Sequence, residues 1–218
     1  MKIPMNPKTL SLLNSYLYKK GQIARRLYEF QEVLDEGDER IFAELSFCIC
    51  TPQSKALACW NAISNLVETR LLFNGANEDI TPLLKGVRFP NNKARYIVEA
   101  RTLFTEQGHL TIKSRLNCFG KSPKLREWLV ENVKGIGMKE ASHFLRNIGL
   151  GKDLAILDRH IIRNLEELGV IQAVPKNLSE KKYLAMESCM RAYSQNIGIP
   201  MNELDLLFWS NETGFIFK

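Results

Sequence analysis

Lys139 follows a Gly135-Ile136-Gly137-Met138 turn and stands nineteen positions before Asp158. A lysine amine with an aspartate carboxylate is a pairing for imine chemistry. The neutral amine can attack a sugar anomeric carbon, expel the base and leave a Schiff base, from which the 3′ phosphate is eliminated. The carboxylate can stabilise oxocarbenium character and carry protons. A lysine does this only when neutral, which requires desolvation or a nearby positive charge. Taken alone, Lys139 is an ordinary lysine early in a helix and Asp158 an ordinary helix cap. Their joint placement around a Gly-x-Gly turn makes them candidates for nucleophile and supporting acid/base.

The turn has its own chemistry. Gly135 and Gly137 permit positive φ and close approach of another backbone. A Gly-x-Gly turn leading into a helix presents backbone N–H groups and the positive end of the helix dipole, which together hold a phosphate without reading a base. The carbonyls of Glu131, Val133 and Ile136 could share a Na or K ion bridging to a DNA phosphate. Lys139, His143 and Arg146 fall at i, i+4 and i+7 and are expected to form a basic face away from the core stripe Ala141, Phe144, Leu145 and Ile148. Many non-enzymatic DNA proteins also carry such a hairpin, so the turn alone does not define an enzyme.

The elements that must hold these residues read as helices almost throughout, with no convincing period-two alternation. Leu10, Leu13 and Leu17 mark a first helix, and Ile23, Leu27, Phe30 and Leu34 a second. Asp38 is expected to cap a third, with Ile41, Phe42, Leu45, Cys48 and Ile49 inward. Trp60, Ile63, Leu66 and Val67 carry the next stripe, and another helix starts near Asn91 or Asn92. Ser122-Pro123 opens the first hairpin helix, lined by Leu125, Trp128, Leu129 and Val133, and Gly149-Leu150-Gly151 ends the second. Leu154-Ala155-Ile156-Leu157 is apolar but too short for a helix. Asp158 then caps a helix through Leu168, Ser179 opens one carrying Tyr183, Met186, Met190 and Tyr193, and the last begins at Asn202 with Asp205 and Trp209 one turn apart. The apolar terminus Phe215-Ile216-Phe217-Lys218 is expected to be docked.

The 218 residues are 45% apolar, enough for a real core, and the formal charge of +6 favours anionic partners, nucleic acid first. The five cysteines (Cys48, Cys50, Cys59, Cys118 and Cys189) are odd in number, and no histidine stands at ligand spacing from the Cys-x-Cys pair. They read as free thiols in a reducing compartment. No stretch approaches the roughly 18 apolar residues of a membrane span. Met1 to Pro7 has no apolar leader core. A soluble protein without a membrane partner is expected.

The block from Gly135 to Asn147, with Leu154 to His160, resembles the helix-hairpin-helix DNA glycosylases, and more narrowly the type-two 8-oxoguanine DNA glycosylase/lyases. Glu44-Leu45-Ser46-Phe47-Cys48, Arg88-Phe89-Pro90 with Lys93-Ala94, and Asp205-Leu206 with Trp209 and a terminal lysine extend the similarity over most of the chain. The resemblance implies an all-α fold of two helical domains with a DNA-binding cleft between them. One domain would be residues 40–152, the other 1–39 plus 153–218. It implies a flipped base with Phe89 and Trp209 as aromatic walls, Asp205 accepting from the guanine N1–H and exocyclic amine, Lys218 reaching the base edge, and His143 touching the pocket. Gly135, Gly137, Arg159 and His160 would contact DNA.

Thr51-Pro52-Gln53 stands where that family usually has an asparagine filling the gap left by the flipped nucleotide. Gln53 can still hydrogen-bond the orphaned base, so the departure bears on opposite-base preference rather than on the reaction. The four-cysteine iron–sulfur signature of the endonuclease III branch is absent, and no cofactor is required. The implied activity is excision of 8-oxoguanine from double-stranded DNA followed by β-elimination, by a monomer located with the nucleoid in the cytoplasm if the source is prokaryotic. The alternatives are the same scaffold acting on an oxidised pyrimidine or alkylated purine, or a non-enzymatic DNA-binding protein.

Overall fold

The structure is a computed structural model and describes residues 6–120 and 122–218. The reading of the first seven residues as leaderless falls largely outside them. The chain divides into two compact units, residues 31–150, and residues 1–30 with 151–218. Among the described residues the architecture is helical, with one two-strand ribbon. No helix among the described residues is long and apolar enough to cross a membrane.

In the 31–150 unit, α2 (Asp38–Cys50) is the central element, buried from Ile41 through Cys50. Around it pack α3 (Ala56–Glu68), α6 (Pro90–Leu103), α7 (Ile112–Asn117) and α9 (Met138–Asn147). The short α4 (Leu71–Asn74) and α5 (Asn77–Ile80) link α3 to α6, and α8 (Ser122–Asn132) pairs with α9. Asp38 is not the cap of α2. Gly37, at φ 95°, takes that position, and the Asp38 carboxylate instead accepts from the Lys113 amide at 2.7 Å. Between α6 and α7 lies a ribbon of β1 (Thr105–Glu106) and β2 (His109–Leu110), turned by Gln107 and Gly108, both at positive φ. Two-residue strands are too short to show alternation, which is why helical periodicity alone misses them.

In the other unit α1 (Pro7–Glu32), whose last two residues belong to the first unit, is one continuous helix rather than the expected two. Gly21 carries no helix-breaking role, because it faces open space and a long helix absorbs its roughly 1 kcal/mol cost. The buried stripe is Thr9, Leu12, Tyr16, Ile23 and Phe30, while Leu10 and Leu17 point outward. The extended segment Leu154–Leu157 is fully buried and draws its hydrogen bonds from α11 (Glu180–Ile197). Glu187 accepts from the Ala155 amide, and the Tyr183 hydroxyl donates to the Ala155 carbonyl and accepts from the Leu157 amide. These bonds replace a sheet partner and deliver the chain to α10 (Arg159–Glu167), which packs with α11 on α12 (Met201–Thr213).

Candidate active site

The hairpin between α8 and α9 rests on one glycine more than on two. Gly135 lies at φ +83°, and a Cβ there would stand 2.5 Å from the Tyr96 ring of α6. Gly137, at φ −107°, is instead the N-cap of α9. Glu140, three residues on, turns its Oε2 back to accept from the Gly137 amide at 3.2 Å, one half of a capping box. The far end of α9 closes with the Leu150 amide on the Leu145 carbonyl and Gly149 at φ +78°, packed where a Cβ would meet Gln31. The Ser122 hydroxyl donates to the Leu150 carbonyl, which ties the start of α8 to the end of α9.

Lys139 is the second residue of α9, and its side chain is a quarter exposed with Nζ 3.1 Å from Glu140 Oε1. The basic face expected along α9 does not form. His143 and Arg146 are buried, His143 edge-on to Phe47 at 5.5 Å, because α9 is covered on nearly all sides after Glu140. Lys139 alone of the three keeps partial exposure.

Two loops of the same unit hold side chains in left-handed backbone. Thr51–Ser54 is a turn closed by the Ser54 amide on the Thr51 carbonyl, with Pro52 second and Gln53 third at φ 60°. A positive φ at that position normally calls for glycine or asparagine. Phe89, at φ 57°, caps α6 and is 52% exposed. The Arg88 amide donates to the Ser54 hydroxyl at 2.9 Å, so the Gln53 and Phe89 loops are fastened together.

In the other unit Asp158 caps α10, with Oδ1 accepting from the His160 and Ile161 amides at 2.8 Å each. Arg159 is exposed. The His160 ring packs on Trp209 at 5.4 Å, with Glu212 at 3.6 Å from its Nδ1. Asp205 is buried a turn before Trp209 in α12, and Lys218 is buried at the end of the chain, so the tail is docked while Phe215 remains exposed. Cys48, Cys50 and Cys59 are buried free thiols, and Cys118 and Cys189 are exposed ones. The described residues contain no group of three His, Cys, Asp or Glu fit to hold a metal. An open groove of about 890 Å³, bordered by Arg70, Phe73, Arg101 and His109, contains none of the candidate residues.

Tyr96 was not singled out from sequence, and Lys93 and Glu140 entered only as members of the family-like segments, with no role of their own. The Gly137-x-x-Glu140 spacing is a legible capping signal. Nothing local marks Lys93 for burial or Tyr96 as the seat of Gly135.

A glycine hairpin opening a helix, with an amine on that helix's first turn, defines a helix-hairpin-helix protein of the lysine-bearing kind. Comparison with known proteins narrows the class. A model of the 8-oxoguanine DNA glycosylase family matches residues 23–199. The chain is 48% identical over 205 residues to the 8-oxoguanine DNA glycosylase/AP lyase of Fusobacterium nucleatum, covering 93% of this chain and 94% of that protein. Against the protein of the same name from Korarchaeum cryptofilum it is 38% identical, with 95% and 98% covered. The crystal structure of the Methanocaldococcus jannaschii 8-oxoguanine DNA glycosylase superposes with a TM-score of 0.87 at 35% identity, covering 98% and 99%. A structure of that archaeon's enzyme in complex with a 15mer DNA containing 8-oxoguanine gives 0.85 at 35% identity, covering 96% and 100%. The chain belongs to the 8-oxoguanine DNA glycosylase family.

Proposed function

We propose that this chain excises 8-oxoguanine from double-stranded DNA and cuts the strand at the resulting site, acting as both glycosylase and AP lyase. The observation that carries the reading is Lys139, partly exposed on the first turn of α9 directly after the hairpin, in a chain similar along its length to proteins of that name. The neutral Nζ attacks C1′ of the damaged nucleotide. The bond from C1′ to the base breaks, and the base leaves with the bonding pair and gains a proton. Nζ loses a proton and the sugar ring opens, its oxygen taking up a proton, to give the Schiff base. Loss of a C2′ proton then drives out the 3′ phosphate with its bonding electrons.

Asp158 stabilises positive charge at C1′ in the first stage and ferries protons in the second. Its cap bonds both use Oδ1, and among the described residues none donates to Oδ2, which supports a second task for this carboxylate. Phe89 and Trp209 stack on the flipped base. An aromatic held half exposed on left-handed backbone supports that role for Phe89. Asp205 accepts from the guanine edge, the Lys218 terminus reaches the base, and His143 lies behind the pocket. The Gly135 amide with Arg159 and His160 holds phosphates, Gly137 serves the contact by shaping the turn since its own amide is taken by Glu140, and Gln53 fills the gap in the stack. A Na or K ion at the carbonyls of Glu131, Val133 and Ile136 would add a phosphate contact. No redox cofactor or iron–sulfur cluster enters the reaction, and a single chain performs it.

The test is borohydride trapping of wild type and Lys139→Gln on duplexes holding one 8-oxoguanine or an undamaged guanine. A covalent adduct with wild type alone, on damaged DNA alone, is the expected result. Tight binding without an adduct would remove the lyase role and leave a monofunctional enzyme or a binder.

A further inference from the structure

Tyr183, Glu187 and Arg191 stand at i, i+4 and i+8 on α11, so one face of that helix presents a side chain at each of three successive turns. All three reach the backbone that leads to Asp158. The Arg191 guanidinium donates to the Asp153 carbonyl at 2.9 Å, and Glu187 Oε2 accepts from the Ala155 amide at 2.8 Å. The Tyr183 hydroxyl donates to the Ala155 carbonyl at 2.6 Å and accepts from the Leu157 amide at 3.2 Å. Arg191 also lies 3.5 Å from Glu187 Oε1, which joins two of the rungs. Tyr183 and Glu187 are 2% and 4% exposed, so the ladder is built where an unmade hydrogen bond is costly.

Register is what such a ladder supplies. Leu154, Ala155, Ile156 and Leu157 are each at most 2% exposed, and an unbroken apolar run buries almost as well one residue up or down the chain. Burial therefore draws the segment inside without choosing which residue stands where. A slip of one residue would carry the backbone about 3.3 Å, the rise of an extended chain, and take Asp158 with it. The cap of α10 does not oppose that slip, because Asp158 Oδ1 accepts from the His160 and Ile161 amides, two and three residues on, and those move with it. The Tyr183 hydroxyl does oppose it. It engages one carbonyl and one amide on the same edge of the extended chain, and the amide belongs to the residue directly before Asp158.

We propose that Tyr183, backed by Glu187, is a positioning residue for Asp158, setting the register in which the carboxylate is delivered to the sugar. The inference rests on the reading of Asp158 as the supporting acid/base. It calls for single-turnover borohydride trapping on the 8-oxoguanine duplex over a range of enzyme concentrations, which separates the saturating rate from the half-saturating concentration. Thermal unfolding of each variant runs alongside. Tyr183→Phe keeps the ring and removes both bonds. It is expected to slow the saturating rate about tenfold or more at an unchanged half-saturating concentration, since a misplacement of about 1 Å can cost about 10²-fold. In an Asp158→Asn background the same substitution should slow trapping less than about twofold, because no carboxylate is left to place. Glu187→Met should also slow trapping, and Glu187→Gln, which keeps an oxygen for the Ala155 amide, should recover most of that loss.

Equal slowing by Tyr183→Phe in the wild-type and Asp158→Asn backgrounds would make the tyrosine a general prop and overturn the proposal, as would a wild-type saturating rate in Tyr183→Phe. So would equal rates in Glu187→Met and Glu187→Gln, which decides the matter even where Tyr183→Phe does not fold. Wild-type trapping by Asp158→Asn alone would instead refute the reading of Asp158 beneath it.

Discussion

Gly135→Ala probes the hairpin at its tightest point, and its cost can be built from two independent terms. The first is conformational. Gly135 sits at φ +83°, where a Cβ crowds the neighbouring carbonyl and costs about 1–2 kcal/mol. The second is steric. The added methyl would lie 2.5, 3.1 and 3.2 Å from three atoms of the Tyr96 ring, so the ring or the turn must move, at about 1–3 kcal/mol. Together they predict about 2–5 kcal/mol, a large share of a domain's typical margin of about 5–15 kcal/mol. Gly137→Ala is the matched control. That residue has φ −107° and its Cβ would come no closer than 3.4 Å to Glu140 Oε2, so only the weaker capping of alanine is lost, about 1 kcal/mol or less. Urea unfolding of the full chain by circular dichroism and tryptophan fluorescence measures both, since Trp128 on α8 reports from the hairpin, packed on Phe104 and Phe119. Repeating Gly135→Ala in a Tyr96→Ala background should recover the steric term and leave the conformational one. Equal costs for the two glycines, or an undiminished cost without the Tyr96 ring, would refute this account of the turn.

Asp158→Ala should lose both cap bonds and about 1–2 kcal/mol, whereas Asp158→Asn keeps an oxygen for the two amides and should hold stability within about 0.5 kcal/mol. If the carboxylate also moves protons, Asn should still slow trapping by about 10²-fold or more, and wild-type rates in that variant would reduce Asp158 to a cap. Gln53→Asn places a residue that tolerates left-handed backbone at φ 60° and should raise the thermal midpoint, by about 0.5 kcal/mol in stability. A fall would mean the Gln53 side chain does more in the folded protein than its turn requires. Alkaline stability should follow Cys59, whose thiol burial raises from 9.0 to about 11. The folded thiol holds its proton to higher pH than the unfolded one, so its contribution is complete below about pH 9 and is lost as pH rises through about 11, at most about 2–3 kcal/mol. Lys93, lowered by desolvation, acts with the opposite sign, and melting curves of Cys59→Ala should show a shallower alkaline decline than wild type.

Much of the helical organisation was legible because burial and period coincide. Ala141, Phe144, Leu145 and Ile148 repeat at helical spacing and are all fully buried. The Asp158 cap was legible for a local reason, since an aspartate before an amphipathic run can satisfy amides that nothing else reaches. Errors arose where a second layer of packing decided the outcome. His143 and Arg146 carry the polarity of a surface, yet the neighbours of α9 cover them. Leu10 and Leu17 have the apolarity of a core stripe, yet α1 turns Leu12 and Tyr16 inward instead. The same limit hid the piece that seats the turn. Tyr96 lies 39 residues before Gly135, and only the folded unit brings the ring under the turn.

Sequence pattern thus identifies the groups that could do chemistry, because reactivity belongs to residue type and local spacing. What those groups do depends on how distant positions hold them. Lys139 illustrates the division. Its place after Gly137 can be read from the chain, but the carboxylate 3.1 Å from its amine is held there by the cap that the hairpin itself requires, and the turn before it is seated on a ring carried in on another helix. A glycine hairpin with a lysine behind it therefore fixes where the amine stands only together with the ring packed against the first glycine and the glutamate that caps the second.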